Sequence, residues 1–139
     1  MTTTLMDSFL SVCLKTLNLT YTTSEFLIYG THTKIKSKLD ELDITNKIEI
    51  ISEFIKENQS NINKFKSLKL AVSRIMEIVK QINVELENIN KECANFEQRW
   101  FTYWRSPDCD AYFNKLEQYC FIFNERCKLL FQCINSRHL

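Results

Sequence analysis

Apolar residues recur along this chain at alternating steps of three and four positions, most regularly between residues 68 and 103. The regular set is Leu68, Val72, Ile75, Val79, Ile82, Leu86, Ile89, Cys93, Phe96, Trp100 and Tyr103. This spacing places the side chains on one face of an α-helix, which we call the apolar stripe. The stripe extends backward to Ile44, with one irregular step between Phe65 and Leu68 that interrupts its register. The pattern predicts a long, coiled-coil-like helix over residues 45–105.

The polar residues at 57–61 leave open whether this region is one helix or two. They include good N-cap residues, which favour a break near 58–61, but Asn58 also lies in phase with the stripe and could fix the register of a continuous helix. Even the shorter version, from Asn61 to Arg105, would span roughly 65 Å at about 1.5 Å per residue. Because that length exceeds a compact bundle of this size, we expect part of the stripe to pair with another chain.

Three further helices are predicted around the long one. A wide apolar face indicates a short helix at 4–17, with Asn18 as its stop. A capping-box pattern that begins at Thr22 starts a second helix at 23–42, although a β-hairpin over 20–36 remains an alternative. Asp43 ends this helix and is expected to cap the next one.

The last helix is predicted over 107–135, because Ser106 is a good N-cap and Pro107 suits the first helical position. The short connection favours antiparallel packing along the long helix. With one glycine and one proline in 139 residues, tight turns are scarce and sheets are disfavoured. The fold class is therefore all-α: a single domain over 1–139, built as a three- or four-helix bundle with one long helix.

Charge and hydrophobicity indicate which partners and which cellular location to expect. The formal net charge is +1, and the absence of a basic excess disfavours nucleic acid as a partner. Neither a signal peptide nor a run of about 20 apolar residues is recognisable, so we expect no membrane association. These features favour a cytoplasmic or nuclear location.

Six cysteines permit two interpretations: Cys13, Cys93, Cys109, Cys120, Cys127 and Cys133. In a reducing compartment they would be small buried apolar residues, and Cys93, Cys120 and Cys127 do occupy apolar positions of helical faces. In a secreted chain they could form disulfides, whose pairing the sequence does not specify.

Catalytic and ligand-binding patterns are weak. The cysteines and histidines lack the close pairs typical of zinc sites, and one glycine cannot build a phosphate-binding loop. Cys109 could gain thiolate character in the first turn of the last helix, but neighbouring aspartates oppose it. Glu85 and Glu87 are expected at solvated positions. We therefore predict no enzymatic activity, no cofactor, no metal and no small-molecule substrate.

The strongest functional pattern is apolar surface that would need a protein partner. Large aromatic residues crowd the end of the long helix, and Trp and Tyr dominate interface energetics. The predicted partner-binding residues are Ile62, Leu68, Val72, Ile75, Val79, Ile82, Leu86, Trp100, Phe101 and Trp104. These residues predict a non-catalytic subunit that self-associates or joins a helical complex. The alternatives are a monomeric modulator that holds a partner helix in a groove and a secreted, disulfide-bonded helical cytokine.

Overall fold

The computed structural model describes residues 3–28, 33–97 and 108–137, which form helices joined by short connections and contain no strand. The helices are α1 (Thr3–Ile28), α2 (Thr33–Leu42), α3 (Ile44–Glu57), α4 (Gln59–Lys64), α5 (Lys66–Glu97) and α6 (Asp110–Arg137). The predicted all-α bundle is confirmed. The number of helices differs from the prediction, because the predicted long helix is divided and α1 absorbs part of the second one.

Helix α1 continues through the predicted stop at Asn18 and through the predicted capping box, so both expectations are wrong. The reason lies in its hydroxyl side chains, which turn back onto the helix instead of ending it. The hydroxyls of Thr20 and Ser24, for example, donate to the carbonyls four residues earlier, at 2.8 and 3.0 Å. The part of 20–36 that the structure describes is helical, which excludes the hairpin there.

The predicted long helix is broken twice. Helix α3 ends at Glu57 and is followed by its C-cap, Asn58. The Asn58 side-chain amide donates to the carbonyl of Phe54 at 2.8 Å, so this residue caps a helix and does not fix a register between helices. Phe65 then adopts an extended conformation between α4 and α5, at the irregular step in the stripe. The longest uninterrupted helix, α5, has 32 residues and spans about 48 Å. Residues 98–105 lie outside the described part of the chain.

The two other predicted helix boundaries have different outcomes. Asp43 does separate α2 from α3, but it has a left-handed backbone (φ 50°, ψ 42°) and its side chain makes no capping hydrogen bond. Aspartate tolerates this region better than most residues, which explains its suitability at the turn. The predicted start at Ser106 and Pro107 lies outside the described residues, and α6 is helical from Asp110.

Helix α5 is the centre of the bundle and packs most extensively against α6 and α1, while α1 also packs against α3. Helices α5 and α6 are antiparallel, since Arg126 of α6 donates to the carbonyl of Arg74 and Cys109 contacts Cys93 near the other end of the pair. The flanking helices α1 and α6 have 26 and 28 residues, so both approach the length of α5. They can therefore cover it along most of its axis.

Two asparagines of α5 join it to α1. The Asn83 amide accepts a hydrogen bond from the Thr16 hydroxyl at 2.5 Å and donates to the Val12 carbonyl at 3.2 Å. Seven residues further along both helices, Asn90 repeats this arrangement with Thr23 and with the carbonyl of Leu19. We call these two arrangements the asparagine bridges. Because both threonines precede their asparagines by the same 67 positions, α1 and α5 run parallel in a fixed register.

Candidate protein-binding groove

Seven of the predicted partner-binding residues lie in the core of this single chain. Each is at most 1% exposed: Ile62, Leu68, Val72, Ile75, Val79, Ile82 and Leu86. The expectation that these positions need another chain to cover them is therefore wrong, because α1 and α6 cover the stripe. The other three predicted residues, Trp100, Phe101 and Trp104, lie outside the described residues.

A concave surface with exposed apolar side chains on both sides lies elsewhere, between α3 and α6. A groove with a cavity volume of about 390 Å³ opens there. Its lining residues are Lys47, Ile50 and Ile51 of α3, and Phe121, Phe123, Asn124, Glu125, Cys127, Lys128 and Phe131 of α6. We call it the α3/α6 groove. Its volume falls within the range of about 300–1,000 Å³ that is typical of ligand pockets.

The groove has a buried floor and exposed apolar walls. Ile51, Phe123 and Cys127 form the floor and belong to the hydrophobic core. On facing walls, Ile50 is 57% exposed and Phe121 is 66% exposed. Side chains of this size normally contribute about 1.5–3 kcal/mol each when they are fully buried, so a partner that covers them gains affinity.

Aromatic packing connects the two walls. Phe54 of α3 and Phe131 of α6 meet edge to face, with ring centroids 4.6 Å apart. Such a contact fixes the separation of the two helices at this point. The exposed residues Ile50 and Phe121 lie toward the N-terminal side of that contact on their respective helices, where the groove remains open.

The polar border of the groove is more basic than acidic. Lys47 and Lys128 supply two positive charges, and Glu125 supplies one negative charge that pairs with Lys128 at 3.0 Å. The thiols on this side add no charge at neutral pH. Burial raises the pKa of Cys120 to about 11 and that of Cys127 to about 12.

A second concavity of about 410 Å³ lies on the other side of α3, against α1. Leu10, Leu14 and Leu17 contribute apolar surface, but Glu49, Glu53 and Lys56 also line it. Helix α3 thus has a depression on both sides. The α3/α6 groove is the better candidate because large apolar side chains project from both of its walls.

The charged groups noted in the sequence have varied surroundings. Glu85, which was expected at a solvated position, is only 4% exposed and accepts a hydrogen bond from Asn88 at 3.4 Å. Glu87 is partly buried and pairs with Lys15 at 2.6 Å. The expectation of solvation is therefore wrong for Glu85, whereas the Glu87 side chain is still 34% exposed.

Helix α2 carries three lysines at 34, 36 and 38, and the last of them makes a defined contact. The Lys38 ammonium pairs with Asp110 at 3.1 Å and lies 5.7 Å from the centre of the Phe113 ring, so it ties α2 to the start of α6. The hydrogen bond and charge of Lys38, with a smaller effect from Lys34, lower the pKa of Asp110. Lys38 therefore contributes to the packing of α2 against α6.

Metal-binding clusters and membrane-spanning helices are both absent from the described residues. Within residues 3–28, 33–97 and 108–137 no cluster of three or more histidine, cysteine or acidic side chains is arranged to hold a metal ion. Over that same part of the chain, the helices lack the combination of length and hydrophobicity needed to cross a bilayer.

Neither exposed wall residue of the groove, Ile50 or Phe121, is among the partner-binding residues predicted from the sequence. In the sequence, Phe121 follows Cys120 of the apolar face of the last helix without belonging to that face, and Ile50 adjoins the stripe residue Ile51 without belonging to the stripe. The available signal was this off-stripe position of two large apolar residues. It could not show that they face each other.

Comparison with known proteins adds no relative: no family model matches the sequence, and neither the curated proteins nor the solved structures contain a match.

Proposed function

We propose that this chain is a non-catalytic protein-interaction subunit that binds an amphipathic helix of a partner protein in the α3/α6 groove. The observation that carries the proposal is the pair Ile50 and Phe121, both more than half exposed on facing walls above an apolar floor. A helix laid into such a groove buries anchors at positions i, i+3 or i+4, and i+7. Of the alternatives that the sequence left open, the exposed groove favours the modulator that holds a partner helix in a groove.

The dimensions of the groove suit a helix. Its α6 wall extends from Phe121 to Phe131, which corresponds to about 15 Å or nearly three helical turns. Three turns present the apolar anchors that a short helical motif carries. The basic excess at the border, from Lys47 and Lys128 against Glu125, favours a partner helix with acidic residues beside its apolar face.

Groove binding differs from self-association through the stripe. Self-association would need stripe residues such as Leu68 and Ile75 to contact another chain, but the chain's own helices bury both completely. Exposing them would cost a large part of the folding free energy, since one domain is stable by only about 5–15 kcal/mol. A partner that binds the groove needs no such opening.

We further propose a cytoplasmic or nuclear location. The support is that five of the six cysteines are buried, where cysteine packs as a small apolar residue. Buried cysteines of this kind are typical of proteins in a reducing compartment.

The test uses a fluorescent synthetic helix of about 16 residues with leucines at i, i+4, i+7 and i+11 and glutamates between them. Its binding to the full chain is followed by fluorescence anisotropy. Ile50→Ser and Phe121→Ser should each weaken the affinity at least about tenfold, as expected for anchor contacts. A peptide with lysines in place of the glutamates should bind less tightly, and the difference should shrink in high salt.

The matched controls are Leu70→Ser and Val84→Ser, because these α5 residues are 55% and 53% exposed and lie outside the groove. They should change the affinity less than about twofold, within the range of ordinary surface substitutions. Equal losses in all four variants would contradict the proposal. A dimeric molar mass by light scattering that becomes monomeric in Phe121→Ser would instead identify a second copy of this chain as the occupant.

A further inference from the structure

Two cysteines, one in α5 and one just before α6, touch at one end of the bundle. Cys93 lies in the last turns of α5 and Cys109 directly precedes α6, and each side chain is only 2% exposed. The two thiols are in hydrogen-bonding contact. This contact is distinct from the α3/α6 groove, and its chemistry does not depend on the proposed function.

The packing of α5 against α6 supports this proximity independently. At the other end of the pair, Arg126 donates to the carbonyl of Arg74 at 2.6 Å, so facing residues of these antiparallel helices have numbers that add up to about 200. The residue numbers of Cys93 and Cys109 add up to 202, close to this value, so the two cysteines belong to the same helix register. The packing of the two helices therefore places Cys93 and Cys109 at the same level of the α5/α6 pair, in agreement with the contact between their thiols.

We propose that Cys93 and Cys109 are a disulfide-forming pair, oxidised by a low-molecular-weight disulfide such as glutathione disulfide. In the first step, the thiolate of one cysteine attacks glutathione disulfide, forms a mixed disulfide and releases one glutathione thiolate. In the second step, the other cysteine thiolate attacks the protein sulfur of the mixed disulfide and releases the second glutathione. The two protein thiols lose two protons and two electrons, which reduce glutathione disulfide to two glutathione molecules.

The environment of the pair sets the rate of this exchange. The hydrogen bond with Cys93, followed by burial, raises the pKa of Cys109, so little thiolate is present at neutral pH. Oxidation of the folded chain should therefore be slow and require opening of this end of the bundle. Refolding in a glutathione redox buffer should give the disulfide much faster, because the thiols are accessible before the helices pack.

The disulfide would close a loop of 17 residues, from Cys93 to Cys109, and join the end of α5 covalently to the start of α6. A cross-link restricts the unfolded chain and so stabilises the folded one, provided that the native geometry accommodates it. The contact between the two thiols in the folded chain favours this outcome. The oxidised protein should unfold at a higher urea concentration than the reduced protein.

The experiment refolds the full chain with oxidised and reduced glutathione, traps free thiols by alkylation and measures the intact mass and the cross-linked peptides. The expected product retains four alkylated thiols, and its other two form one internal Cys93–Cys109 link that lowers the mass by about 2 Da before alkylation. Cys93→Ala and Cys109→Ala should each abolish this link. They should also abolish the shift in the urea midpoint between oxidised and reduced protein.

The control is the double variant Cys13→Ala, Cys127→Ala, which removes two other buried thiols that influence each other electrostatically. It should keep the Cys93–Cys109 link. A Cys13–Cys127 link in the wild type in place of Cys93–Cys109, or a product that stops at mixed disulfides with glutathione, would overturn the proposal. Far-UV circular dichroism of each alanine variant shows whether a lost link reflects lost folding.

Discussion

The asparagine bridges between α1 and α5 give the most direct quantitative prediction from this structure. Asn83 is 4% exposed, and its side-chain amide is satisfied by the Thr16 hydroxyl and the Val12 carbonyl. Thr16→Val removes the hydroxyl while it keeps the shape of the side chain. The Asn83 oxygen then loses its donor in a place that water does not reach.

The size of the effect is set by two contributions. A hydrogen bond contributes about 0.5–1.5 kcal/mol net, and a buried acceptor left without a partner costs about 1–3 kcal/mol. We therefore expect Thr16→Val to lower the free energy of unfolding by about 2 kcal/mol. This is a large share of the stability of a domain of this size.

Asn83→Leu should be much milder, although it removes the same hydrogen bond. The Thr16 hydroxyl already lies 3.0 Å from the Val12 carbonyl and can donate to it when the asparagine is absent. No buried polar group is then left without a partner, and leucine adds apolar surface. The expected cost is about 1 kcal/mol or less, since apolar replacement of a buried polar group can be nearly neutral.

The double variant Thr16→Val, Asn83→Leu separates this reasoning from a simple loss of packing. It should be more stable than Thr16→Val alone, with a coupling energy of about 1–2 kcal/mol in the double-mutant cycle. The assay is urea unfolding followed by far-UV circular dichroism. Thr22→Val is the matched control: its hydroxyl also donates to the carbonyl four residues earlier, but at an exposed position, so we expect a change within about 0.5 kcal/mol. Equal costs at Thr16 and Thr22, or a double variant that shows the sum of the single costs, would refute the reasoning.

Two further predictions concern the core and the α2–α6 contact. Ile75→Ala should cost about 2–5 kcal/mol in urea unfolding, because the residue is fully buried; a cost below about 0.5 kcal/mol would instead place it on an uncovered surface. Lys38→Met should raise the pKa of Asp110 toward its ordinary value of 3.8, as measured by NMR titration. Because the folded-state pKa is lowered, the stabilisation from this pair is present above the unfolded-state value of 3.8 and is lost as the pH falls through the lower folded-state value. The difference in stability between wild type and Lys38→Met should therefore disappear in acid; a difference that persists there would show that packing on Phe113 causes it.

Much of the fold was predictable from local pattern. The stripe identified buried positions such as Leu68 and Ile82 correctly, because the 3.6-residue period of a helix determines which side chains share a face. The irregular step at Phe65 also coincides with a real interruption. Scarce glycine and proline correctly favoured helices over sheets.

The register between helices was not predictable in the same way, although a signal existed. Thr16 and Thr23 are seven residues apart, as are Asn83 and Asn90, so each pair repeats at heptad spacing. This spacing shows that the two members of a pair share a helical face. It does not show that the threonines face the asparagines, because that depends on how α1 lies against α5. The same contact explains why α1 continues beyond Asn18. The Thr23 hydroxyl, for example, has an acceptor on α5 as well as the Leu19 carbonyl of its own helix within reach, so it does not need to end the helix to find a partner.

The sequence by itself determined that this chain forms amphipathic helices and that a continuous apolar face must be removed from water. Only the tertiary structure decided which surface covers that face. A hydrophobic pattern specifies that a side chain is buried but not by what, since the hydrophobic effect has no direction and no preference for the same chain or another. Here α1 and α6 are long enough to cover α5, and among the apolar residues left exposed are Ile50 and Phe121, which the bundle geometry brings to facing walls of one groove.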